Sequence, residues 1–288
     1  MHDEACKSGS AIRLGVYDSG SGGLSVLRQL RSLRPDLDVI YVADTARVPY
    51  GGRPAQDILR FNREMASGLA ALGATHLVVA CNTSCALAVP TVRMEQRLPM
   101  IGLLEAGARA ATAAGRRIGI LATESTIRSG AYGQAVRAAR ADAEVFELAC
   151  TEWVPLVEDG VLSGPEAKKR VRSALSPWLR LPALDAVILG CTHFPFLASL
   201  VEEALPGGPL LVDPAPLAAK AICDLLPAVE GKAGLLEFWS SGPQEEFLAS
   251  IRRLVPDLAP THVLPWPPCE VPAAEGTALT LPSSSRRP

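Results

Sequence analysis

The chain has 288 residues, with 28 basic and 30 acidic side chains and a formal net charge of −2. At 48% hydrophobic and 20% charged residues it has the composition of a globular protein, with core material for one large domain or two ordinary ones. Near-neutral charge excludes a basic footprint for nucleic acid or anionic membrane, and no apolar run approaches the roughly 20 residues of a bilayer span.

Along the chain, short β-branched runs alternate with longer amphipathic stretches. Buried strands are predicted at Leu14–Tyr17, Val39–Ala43, Leu77–Ala80, Met100–Leu103, Ile118–Leu121, Val145–Leu148, Ala186–Leu189, Leu210–Val212 and Leu235–Trp239. Between the first two, Leu24, Leu27, Leu30 and Leu33 repeat every three residues until Pro35 stops the helix. Further helices are predicted over Phe61–Leu72, Ala86–Arg97, Glu105–Ala114, Ala131–Arg140, Glu166–Leu179, Phe196–Leu205, Pro216–Leu226 and Gln244–Leu254. Strands separated by helices imply parallel βαβ units, an α/β fold with ligand groups at the carboxyl ends of the strands. Eight of the 24 prolines crowd into residues 256–288, so this tail is expected to lack regular structure, with Val271 onward poorly ordered. The opening Met1-His2-Asp3-Glu4 lacks the pattern of a secretory signal. Seven cysteines, an odd number scattered from Cys6 to Cys269, give no disulfide framework, and a cytoplasmic protein with reduced thiols is expected.

The sequence echoes itself. Leu77-Val78-Val79-Ala80-Cys81-Asn82-Thr83 resembles Val187-Ile188-Leu189-Gly190-Cys191-Thr192-His193, and upstream Leu14-Gly15-Val16 parallels Ile118-Gly119-Ile120 at near-equal spacing. Two similar halves, each offering a cysteine at a strand mouth, predict facing parallel-sheet lobes related by a pseudo-twofold axis. A thiol beside a helix N-terminus has its thiolate favoured, and can exchange protons near neutral pH; a lone cysteine would read first as a small buried hydrophobe, but a matched pair does not.

Asp18-Ser19-Gly20-Ser21-Gly22-Gly23 reads as a tight strand–helix turn or as an anion cradle with Asp18 as an acid–base group. It is neither a Rossmann nor a Walker A loop, since Ser25 replaces the third glycine and no Gly-Lys-Ser/Thr follows. Cys81 and Cys85 with Cys191 and His193 make a poor zinc set, because Cys85 lies a helical turn inward. A phosphatase loop lacks its arginine, with Leu87 and Leu197 in that place, and no G-x-S-x-G elbow exists. None of the five lysines falls at a strand mouth, so a pyridoxal Schiff base is not expected. His193 reaches the cavity of Cys191, whereas Glu158 reads first as an exposed loop acid and Pro49-Tyr50-Gly51-Gly52 as a turn.

Together the motifs Gly15-Val16-Tyr17-Asp18-Ser19-Gly20-Ser21-Gly22-Gly23, Val48-Pro49-Tyr50-Gly51, Ala80-Cys81-Asn82-Thr83, Gly130-Ala131-Tyr132, Val154-Pro155-Leu156-Val157-Glu158 and Gly190-Cys191-Thr192-His193-Phe194-Pro195 resemble those of the glutamate racemases, in the aspartate/glutamate racemase superfamily. The resemblance runs in order from about residue 12 to 255. It implies cofactor-independent interconversion of L- and D-glutamate, with no metal, supplying D-glutamate for peptidoglycan. Cys81 and Cys191 would be the acid/base thiols, with Asp18 assisting Cys81 and with Glu158 and His193 assisting Cys191. Asp18, Ser19, Pro49, Tyr50, Gly51, Asn82, Thr83, Thr123, Thr126, Thr192 and His193 would contact substrate. The implied architecture is one lobe of residues 11–98 completed by 209–255, a second lobe of 99–208, and a homodimer. Ser84-Cys85 and Asp213-Pro214 depart from the usual pattern without removing a reactive group. The competing readings are an aspartate or hydantoin racemase, and a two-lobed binding module without turnover.

Overall fold

The structure, a computed structural model, describes residues 12–227 and 233–266. The predictions about Met1–Glu4, Cys6, Cys269 and everything from Val271 onward lie outside them.

Two all-parallel sheets carry the fold. The first joins β1 (Arg13–Asp18), β2 (Asp38–Ala43), β3 (His76–Val79) and β4 (Met100–Ile101). The second joins β5 (Arg117–Ala122), β6 (Glu144–Ala149), β7 (Ala186–Gly190) and β8 (Leu210–Val212). Their orders are β2-β1-β3-β4 and β6-β5-β7-β8, the same winding twice, so the echo in the sequence is a repeat of topology. The first sheet is then widened by β9 (Leu236–Ser240) beside β2 and by β10 (Leu264–Pro265) at the edge. The central strands β3 and β7 are buried almost throughout, as their unbroken apolar runs require when helices cover both faces. On the helix Leu24–Leu33, Leu24, Val26, Leu27 and Leu30 pack into the core. Leu33, its last residue, is 49% exposed.

Three expectations change. The divisions at 98/99 and 208/209 each fall one strand early: β4 pairs with β3 and closes the first sheet, and β8 pairs with β7 and closes the second. Each repeat ends with its own edge strand, too short (two and three residues) to announce which sheet it joins. The chain then returns to the first lobe through the helix Pro214–Leu225, which packs on Leu24–Leu33. Within the expected tail, Pro256–Leu258 forms a 3-10 turn and Leu264–Pro265 pairs with β9, an edge position where a missing N–H costs nothing. Trp266 there is buried edge-on against Trp239 and over Gly68. Finally, the single helix expected over Ala86–Arg97 is two, Asn82–Leu87 and Val89–Glu95. Pro90 starts the second, where its missing N–H would have no partner anyway.

Candidate active site

The site lies where the carboxyl ends of the two sheets face each other. One narrow cavity is lined by Ser19, Pro49, Tyr50, Gly51, Cys81, Asn82, Thr83, Thr123, Val154, Cys191, Thr192 and His193. The two cysteines occupy matching positions, Cys81 just beyond β3 and Cys191 directly after β7. Of the residues expected to contact substrate, only Asp18 and Thr126 stand behind the lining rather than in it.

Cys81 is surrounded by its own lobe. It caps the helix Asn82–Leu87, and its Sγ stands 3.6 Å from Ser19 Oγ. Burial, reinforced by the nearby Asp18 carboxylate, pushes its thiol up to about 12, against hydrogen bonds from Ser84 and Ser19. Asp18 ends β1 and accepts the Gly23 N–H at 2.6 Å on Oδ2, which Thr192 Oγ1 approaches at 3.5 Å from the opposite lobe. Its Oδ1 is buried without a partner. Burial raises Asp18 to about 6, partly offset by His193 and by the Gly23 and Ser19 N–H groups.

Cys191 has a different retinue. Its Sγ lies 3.7 Å from His193 Nδ1, and His193 Nε2 lies 2.6 Å from Glu158 Oε1. Glu158 is thus no exposed loop acid. It is the last residue of a helix, Trp153–Glu158, whose Trp153 packs edge-on against Phe194 with centroids 4.8 Å apart. That contact sets the helix beside the His193 turn. Burial works against the charged forms of both His193 and Glu158 but is outweighed. The contacts with Cys191 and then Glu158 hold His193 well above its usual value, and His193, with help from Ser21, holds Glu158 down at about 2. A doubly protonated imidazole then donates one N–H to Glu158 and presents the other to Cys191.

The rest of the lining is hydroxyls, amide and backbone. Thr83, Thr123 and Thr126 close a triangle across the lobes, at 3.0, 3.2 and 2.9 Å between hydroxyls. Thr126 reaches the cleft only through that triangle. Gly51 lies flat on Thr123, where a Cβ would come within 2.7 Å, and its carbonyl accepts the Ser125 N–H at 3.0 Å. Tyr50 donates to the buried Asp44, which also pairs with Arg47, so the expected turn is tied down by buried contacts. Asn82 Oδ1 takes the Tyr132 hydroxyl at 2.5 Å, leaving Nδ2 as a buried donor with no protein partner. Among the described residues no three His, Cys, Asp or Glu side chains are grouped to hold a metal ion. Nor is any helix there long and apolar enough to cross a membrane.

Sequence reasoning missed Val154 and Ser21. Val154 lies on the helix of Glu158, four residues before it, the spacing that puts both on one face. Ser21, between two glycines, gave no signal of its own.

Known proteins similar to this chain identify its family. The family model described as Asp/Glu/Hydantoin racemase matches residues 24–222. A glutamate racemase of Gloeobacter violaceus is 43% identical over 233 residues, covering 80% of this chain and 88% of its own. Among solved structures, the glutamate racemase of Thermus thermophilus in complex with β-chloro-D-alanine is 39% identical with a TM-score of 0.76, covering 85% of this chain and 93% of its own. That of Francisella tularensis in complex with D-glutamate is 28% identical with a TM-score of 0.81, covering 89% and 96%. Such identity over most of the length, on the same two-sheet architecture, means that the chain belongs to the Asp/Glu/Hydantoin racemase family, alongside its glutamate racemases.

Proposed function

We propose that the protein interconverts L- and D-glutamate without a cofactor, using Cys81 and Cys191 as paired acid and base on opposite faces of the α-carbon. The observation that carries this reading is that one cavity is lined by one cysteine from each repeat, each with its own proton-bearing neighbours. Inverting a stereocentre through a carbanion requires proton removal on one face and delivery on the other. Two lobes wound alike and set face to face supply such a pair.

The neighbours give the two sulfurs unlike starting roles. Cys81, buried beside Asp18, holds its proton and is the donor, whereas Cys191 faces the His193 ring at 3.7 Å and is the acceptor in that direction. Each turnover takes the α-proton onto one sulfur and delivers a proton to the α-carbon from the other, which exchanges the roles. A thiolate is a weak base for an amino-acid α-proton, so the site must stabilise the carbanion and its carboxylate. The unpartnered Asn82 Nδ2 and the hydroxyls of Ser19, Thr83 and Thr192 are aimed at that task. The wider reading follows from the family: D-glutamate made for peptidoglycan, in the cytoplasm, by a homodimer.

Single substitutions test the pairing. Cys81→Ser and Cys191→Ser should each lower racemisation by about 10²- to 10⁴-fold, the typical contribution of a general acid or base. In heavy water each variant should still wash the α-proton out of one enantiomer only, a different one for each. Wash-out from both enantiomers by either variant, or faster turnover of L-aspartate than of L-glutamate by the unaltered protein, would count against the proposal.

A further inference from the structure

Ser21 sits in the loop after β1, on the first lobe, yet its polar atoms serve the second. Its backbone N–H donates to Glu158 Oε1 at 3.1 Å and its hydroxyl to Oε2 at 2.9 Å. Among the described residues, the two carboxylate oxygens take donors only from Ser21 and His193. The glycines on either side let the loop lie flush on this pair. A Cβ at Gly20 would stand 2.7 Å from Glu158 Oε1, and one at Gly22 would stand 2.5 Å from His193 Nδ1 and Thr192 Oγ1. Ser21 itself is 1% exposed, so no water competes for its hydroxyl. The cleft lining leaves out both Ser21 and Glu158, so neither is placed to touch substrate.

We propose that Ser21 is a positioning residue for the Cys191 half of the site: it clamps the Glu158 carboxylate from across the cleft, aims it at His193, and so makes the Cys191–His193 pair depend on contact between the lobes. Around Cys81, by contrast, Ser19, Asp18 and Ser84 all come from its own lobe, and the opposite lobe reaches only Asp18, through Thr192 at 3.5 Å and the charge of His193. The kinetic consequence rests on the two-thiol reading above; the clamp itself does not.

The charged and titratable groups facing the pair are few. Cys191 and Asp18 act on His193. Tyr41 feels Glu158, Arg253 donates to the Glu158 carbonyl at 2.6 Å, and Glu246 faces it across a solvent cavity. None of them replaces the lost hydroxyl at the carboxylate. A less firmly held Glu158 supports the His193 imidazolium less, so His193 gives up its proton at lower pH.

The test is the titration of the His193 ring, followed by NMR on the full chain, together with the pH profile of kcat. Ser21→Ala should move the His193 midpoint and the alkaline limb of kcat down by ~1 pH unit, the scale of one hydrogen bond to a charged group, with KM little changed. Ser21→Thr, which keeps the hydroxyl, should restore both. Ser21→Cys, a weaker donor of similar size, stands in if alanine prevents folding, and should give the same downward shift. An unmoved midpoint and limb, even with lowered thermal stability, would overturn the clamp. A moved midpoint in a protein that does not racemise glutamate would leave the clamp standing and reject the proposed reaction instead.

Discussion

Asp18 shows what the site costs the fold. Its carboxyl is fully enclosed, one oxygen has no donor, and burial raises it from 3.8 to about 6. A carboxyl raised in the native state binds its proton more tightly there than in the unfolded chain. Its contribution therefore favours folding below pH 3.8 and is lost as pH rises through 6. Asp18→Asn should accordingly be more stable than the unaltered protein at pH 8, by on the order of 2–3 kcal/mol, with the advantage gone near pH 4. Urea unfolding at the two pH values measures this; an equal gap at both would contradict the assignment. Racemisation should fall in the same variant, since a neutral amide cannot hold charge beside Cys81. Glu158 is the opposite case: its partners outweigh burial and keep it ionised, so it stabilises the fold above pH 4.5 and loses that effect only as pH falls toward 2.

Among the elements, the turn between β1 and the helix Leu24–Leu33 does the most with the least side chain. Gly22 faces His193 and Thr192 with no room for a methyl, and both neighbours are held in place by other contacts. Gly22→Ala should push the lobes apart locally and cut kcat/KM by about 100-fold, as sub-ångström to ångström misplacements of reacting groups do. Circular dichroism should stay unchanged, because the strand and helix on either side are unaffected. Loss of the helical signal along with activity would instead mean that the turn is needed to fold. The same turn marks how far the sequence could be read. Cys81, Cys191 and Asp18 were visible because each follows an apolar run into a polar turn, a local pattern. Glu158 looked like a loop acid because its helix has six residues, less than two turns, too few to show a period, and carries Pro155 within it. Ser21 was illegible because its partner is 137 positions away, in the other lobe.

At the scale of the molecule, the repeated topology is the organising fact. The winding β2-β1-β3-β4 recurs as β6-β5-β7-β8, so the position after the third strand of each sheet recurs as well, and there the two cysteines stand. The repeat was legible in the apolar-strand-then-cysteine echo; the sheet boundaries were not, because β4 and β8 are too short to declare their partners. The two repeats differ in what surrounds each cysteine. One cysteine keeps a carboxylate neighbour in its own lobe, and the other keeps a histidine backed by a carboxylate that both lobes hold. That difference suits a reaction whose substrate and product are mirror images. Their equilibrium constant is one, so kcat/KM must be equal in the two directions for every variant, whichever half-site is altered.

The most direct measurement is incubation of the unaltered protein with L-glutamate in heavy water, without added cofactor, followed by chiral separation and mass analysis. Two thiols in exchange with solvent predict D-glutamate carrying deuterium at the α-carbon from the first turnovers, while early residual L-glutamate stays protiated. D-Glutamate that retains its original hydrogen, or that forms only after pyridoxal phosphate is supplied, would contradict the account.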